Sequence, residues 1–123
     1  MAYGSIRFLV AFLLVMFAGM LAHAQGTVFL GAIEDVPLMP GLSEAVDDGM
    51  VFESPSGRIA EARASGPVTR RQVLDFYAAT LPQLGWERET HGRYRREGEI
   101  LRIEFGDGDS PDLGVRFALA PAP

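Results

Sequence analysis

A chain of 123 residues with no cysteine and a formal net charge of −5 has room for one small domain, held together without disulfides or thiolate-bound metal. The acidic excess disfavours nucleic acid or an anionic lipid surface as the main partner, because either demands a basic face. Lysine is absent too, so side-chain amine nucleophiles are excluded along with thiolates.

Met1–Arg7 is short and carries one positive charge, Phe8–Leu21 is an apolar run, and Ala22-His23-Ala24 places small residues at both positions a signal peptidase reads. At roughly 1.5 Å per residue the run spans about 21 Å, short of a bilayer core of about 30 Å. Residues 1–24 are therefore predicted to be a signal peptide, with a mature protein that starts at Gln25 and is periplasmic or secreted. An uncleaved anchor is the alternative. A lipoprotein is excluded, since there is no cysteine to acylate.

Residues 25–48 read as an extended N-terminal arm. Thr27–Leu30 suits a short strand, while Pro37 and Pro40-Gly41 rule out a helix and lay Val36, Leu38 and Leu42 over the domain. The single α+β domain is expected over 49–120, followed by a tail over 121–123. Met50–Ser54, the turn Pro55-Ser56-Gly57 and Arg58–Ser65 form a hairpin whose second arm alternates, with Ala60, Ala62 and Ala64 on one face. That small face suits a helix lying close across the sheet.

The helix follows. Thr69 with Gln72 fits a capping box, and Val68 with Val73 a hydrophobic staple. Val73, Leu74, Tyr77 and Leu81 recur at helical spacing, with Phe76 at the edge of the stripe. Pro82 breaks the ladder and Gly85 ends the last turn. Beyond it the period becomes two. Trp86–Thr90, Arg93–Glu97, the Leu101, Ile103, Phe105 face and the Leu113, Val115, Phe117, Leu119 face read as a meander of four strands. Hairpin, helix and meander make one antiparallel sheet with a helix on one face. Tyr77, Leu81 and Trp86 are expected in its core, opposite Phe117.

Phe76-Tyr77-Ala78-Ala79-Thr80-Leu81-Pro82-Gln83-Leu84-Gly85-Trp86, preceded by Val36–Leu42, resembles small exported bacterial proteins that share an FYxxxLPxLGW-type helix exit. The resemblance covers roughly residues 36–105. It implies the fold and supplies no catalytic residues, because that group has no assigned activity.

The inventory for chemistry is thin. His91 is the only histidine after the expected signal segment and is predicted to fall in a two-residue turn beside Gly92; no GxSxG elbow presents a serine to it. The loop Gly106–Asp112 carries Asp107, Asp109 and Asp112, hard oxygen ligands of the kind calcium takes, but lacks the glutamate and flanking helices of an EF-hand. It reads as a solvated hairpin loop. Arg93, Arg95 and Arg96 are matched by Glu87, Glu89, Glu97 and Glu99, which suits a laced, solvent-facing sheet. No catalytic residue, cofactor or metal is expected. The leading expectation is a non-catalytic interaction module of the cell envelope, binding an unknown envelope protein through Trp86, Tyr94, Arg95 and Arg102 on the outer sheet face or through an unpaired sheet edge. A carrier of a small apolar ligand, lined by Phe76, Tyr77, Leu101 and Phe117, is the second reading. A hydrolase running on carboxylates alone is the third.

Overall fold

The computed structural model describes residues 26–107 and 111–123. The expected signal peptide, Gln25 and Asp109 lie outside the described residues. In chain order the elements are β1 (Ser43–Glu44), a 3-10 turn (Val46–Asp48), β2 (Met50–Ser54), β3 (Gly57–Gly66), α1 (Arg70–Thr80), a second 3-10 turn (Leu81–Leu84), β4 (Glu87–Thr90), β5 (Arg93–Arg96), β6 (Glu99–Phe105) and β7 (Leu113–Pro121). All strand pairs are antiparallel, in the spatial order β1-β3-β7-β6-β5-β4, with β2 also paired to β3. The helix carries the chain from β3 to the far edge of the sheet. The meander then walks back until β7 closes on β3.

The capping box nucleates α1 as the sequence predicts: Gln72 N–H donates to Thr69 Oγ1 at 3.1 Å and Thr69 N–H to Gln72 Oε1 at 2.9 Å. Its other end stops because Gly85 takes φ +90°, which lets Trp86 N–H reach the Leu81 carbonyl at 3.1 Å. Val73 and Tyr77 of this helix and Leu81 of the 3-10 turn that follows it project into the core. They meet a floor of Ala60, Ala62 and Ala64 from β3, Val115, Phe117 and Leu119 from β7, and Leu101 and Ile103 from β6, all buried. Small alanines opposite large rings are how helix and sheet approach without a void. The Tyr77 ring packs edge-on against Phe117, at 5.3 Å between centroids.

The arm belongs to the same core. Leu30, Ile33, Val36 and Leu42 are buried, whereas Leu38 is only partly covered. The expected Thr27–Leu30 strand reduces to an isolated bridge between Phe29 and Pro37, flanked by hydrogen bonds from Leu30 to Val36 (2.9 Å) and from Leu38 to Val28 (2.7 Å). Proline at 37 removes a donor, so the ladder goes no further there. Tyr77 ties the arm down, its hydroxyl donating to the Pro37 carbonyl (2.8 Å) and accepting from Met39 N–H (3.1 Å). The arm then crosses the end of β3 so closely that a Cβ on Gly66 would lie 2.0 Å from the Gly41 carbonyl oxygen. At the opposite end of the chain, β7 continues into the expected tail as far as Pro121, and Ala122 N–H donates to the Gly98 carbonyl at 2.7 Å.

Candidate interaction surface

Two of the four surface residues expected from sequence lie in the core, and for Trp86 the core is the other of its two expected places. Trp86 and Tyr94 are each 1% exposed, on the face that carries the helix. Tyr94 is opposite Leu101 across the β5–β6 turn, so its ring falls in line with the apolar face of β6. Burial pushes its hydroxyl pKa up. Trp86 is capped by the Arg96 guanidinium, 4.4 Å from the ring centroid. Arg96 also donates to the Leu84 carbonyl at 3.2 Å and pairs with Asp35 of the arm. Asp35 reaches Arg58 at 3.7 Å, and Arg58 pairs with Glu99 at 3.1 Å. This chain of charges closes one end of the core and latches the arm to β3 and β5. Among the described residues Asp35 Oδ1, Trp86 Nε1 and Arg96 Nε have no hydrogen-bond partner, a cost set against the ion pairs and the stacking.

Arg95 and Arg102 lie on the outer face, alternating with the buried Tyr94 and Leu101. Arg95 pairs with Glu89 at 3.5 Å, and Arg93 shares that carboxylate at 3.3 Å. Toward the centre of the sheet Arg116 bridges Glu61 (2.9 Å) and Glu104 (2.7 Å), and Arg63 joins Glu61 at 3.1 Å. The Arg116 hydrogen bond holds the Glu61 carboxyl below its ordinary range. These pairs join residues up to 55 positions apart, so sequence spacing does not reveal them. The outer face from β4 to β7 is thus a laced polar surface. Its charges are mostly satisfied from within.

The surface changes character toward β2. Met50 and Phe52 point outward, Phe52 beside Ile59 on β3. Ala118, Ala120 and Ile100 continue this apolar strip across the outer face, with Ile100 opposite Ala120. Ile100 is buried, in a small depression also lined by Arg102, Ala118, Pro121 and Pro123. Val51 faces the helix side but lies beyond the helix's reach. Met50, Val51 and Phe52 are 48%, 56% and 56% exposed, three consecutive apolar side chains on an edge strand.

The two sheet edges are built differently. β4 is four residues of Glu-Arg-Glu-Thr, all exposed, with its register broken between Arg88 and Thr90. Shortness, charge and a bulge are the devices that stop an edge from pairing further. On the other side, β1 and β2 share the edge of β3 end to end. The arm shields the β1 half: the Glu44 carboxylate accepts from Gly31 N–H at 2.8 Å, and Ala32 Cβ would touch a side chain at Gly49 at 3.2 Å. Over Met50–Ser54 the pairing to β3 is regular, and among the described residues no strand lies along its outer side. This open edge is the residue set that sequence reasoning left unnamed. Met50-Val51-Phe52 is an apolar run without the in–out alternation of a half-buried strand, but nothing in the run says that its strand ends the sheet.

The remaining candidates are placed as follows. His91 is exposed in its turn, its Nε2 2.9 Å from Arg88 Nη2. Asp107 and Asp112 are exposed, and among the described residues no three acidic or imidazole groups gather as a ligand set. Of the residues expected to line a carrier cavity, Tyr77, Leu101 and Phe117 are fully buried in mutual packing. Phe76 instead borders an open groove of about 480 Å³ between helix and arm, lined also by Val28, Leu38, Met39 and Leu42. Comparison with protein-family models, with curated proteins and with solved structures finds no match to this chain.

Proposed function

We propose that this chain is an exported, non-catalytic binding module of the cell envelope that takes an added strand along β2. The observation that carries the reading is the asymmetry of the edges: one is short, charged and bulged, while the other offers Met50, Val51 and Phe52 on an outer side that no strand covers among the described residues. In strand addition the main chain supplies affinity, and alternate side chains supply selectivity. Here an incoming strand meets Met50 and Phe52 on one face and Val51 on the other. Export rests on the leader-like pattern of residues 1–24, and Gln25 is the expected first residue by mass analysis of the envelope fraction.

The test is a photo-crosslinking residue placed at Phe52 in β2 and, separately, at Arg88 in β4, in living cells. Adducts at position 52 that map to an extended segment, with none at 88, support the reading. Equal adduct formation at both positions, or none at 52, overturns it.

A further inference from the structure

Resting on that strand-docking reading, we infer that the strand added along β2 is β2 of a second copy, giving a two-fold dimer with one sheet continuous across both subunits. Two observations select this occupant. Since β4 is blocked, a head-to-tail contact between the β2 edge of one copy and the β4 edge of the next is disfavoured; the arrangement left to an open edge is isologous and closed, and does not grow into a fibre. The strand is also complementary to itself. In an antiparallel pair centred on Val51, Val51 faces Val51, Met50 faces Phe52 in both directions, and Glu53 falls opposite Gly49. Moving the centre to Met50 sets Val51 against Gly49 and turns Phe52 and Glu53 toward the 3-10 turn that carries Asp47 and Asp48. Moving it to Phe52 sets Val51 against Glu53. Only the Val51-centred register matches apolar with apolar and keeps like charges from facing each other directly.

In that register the Met50 and Phe52 side chains of both copies share the outer face, joining the two strips that run through Ile59, Ala120 and Ile100. Two Val51 side chains, each now more than half exposed, cover one another on the other face. The addition of a five-residue strand is smaller than the standard interface of about 800 Å² per partner, so the dimer is expected to be weak and concentration-dependent.

Because the chain has no cysteine, a single introduced thiol can form a disulfide only between copies. Across an antiparallel pair, opposed Cα atoms lie about 4.5–5.5 Å apart, within disulfide range. Two residues at position 53 would be offset by about 14 Å along the strands and fall outside it. The full-length gene carrying Val51→Cys, Glu53→Cys or Arg88→Cys is expressed, and the product is oxidised and run on a non-reducing gel. Covalent dimer from Val51→Cys, at least about tenfold less from Glu53→Cys and none from Arg88→Cys is the expected result. Sedimentation of the unmodified protein should show a monomer–dimer equilibrium, and Val51→Lys should raise its dissociation constant by about tenfold or more with an unchanged thermal melt. No Val51→Cys dimer, or equal yields from all three thiols, overturns the inference. A monomer at every concentration whose position-52 crosslinks map to a different protein removes the second copy and leaves strand docking standing. A monomer without such crosslinks removes both.

Discussion

Tyr77→Phe isolates the bond that holds the arm to the helix. The ring stays, so its edge contacts with Phe76 (4.9 Å) and Phe117 (5.3 Å) are conserved and no cavity opens. What disappears is the hydroxyl that donates to the Pro37 carbonyl at 2.8 Å and accepts from Met39 N–H at 3.1 Å. Pro37 is fully buried, so its carbonyl is left without a partner, whereas Met39 is only partly buried. Each bond contributes about 1 kcal/mol net, and stranding a buried acceptor costs about 1–3 kcal/mol; relief from desolvating the hydroxyl offsets part of this. The expected loss is about 2 kcal/mol, a large share of the roughly 5–10 kcal/mol that a domain of this size commands. Urea denaturation at constant m-value measures it, and amide exchange should show faster opening at Leu30 and Leu38, whose N–H groups bond across the arm. A loss below about 0.5 kcal/mol with unchanged protection at those amides would refute the reasoning. The arm would then be held by the burial of Leu30, Ile33 and Val36 together with the ion pairs of Asp35.

Gly66→Ala places a Cβ 2.0 Å from the Gly41 carbonyl oxygen, a backbone atom that can move only with the arm; a loss of about 2–4 kcal/mol is expected by chemical denaturation, against a few tenths if the approach is loose. Glu61 has a folded pKa held below its ordinary value of 4.5 by Arg116, so its contribution is present above that value and is lost as the pH falls through the depressed one. Glu61→Gln should therefore reduce stability at pH 7 and flatten the decline below about pH 4.5, read from melts across that range; an unchanged acid limb would contradict the pairing. His91→Ala should change stability by no more than about 0.5 kcal/mol and leave function intact in a complementation assay, since the imidazole lies in an exposed turn. Loss of function with an unchanged melt would assign His91 chemistry or a partner contact.

The sequence by itself determined what depends on neighbours within one turn or one strand. Thr69 and Gln72 specify the start of α1 and Gly85 its end, because capping and left-handed backbone are local properties. Period two placed Ala60, Ala62 and Ala64 on one face of β3, and Val115, Phe117 and Leu119 on one face of β7. Alternation states which residues share a face, but not which strands lie side by side or which face is covered. The pairing of β3 with β7, the insertion of the arm and the Arg116–Glu61–Glu104 bridge arise only when the chain closes on itself. Tyr94 shows the boundary: between arginines it reads as surface, yet the turn register that sets it against Leu101 commits it to the core. Tertiary structure alone decided the two edges. An edge strand is defined by the absence of a neighbour, and that absence is a property of the whole sheet, which no local pattern in Met50-Val51-Phe52 or Glu87-Arg88-Glu89 encodes.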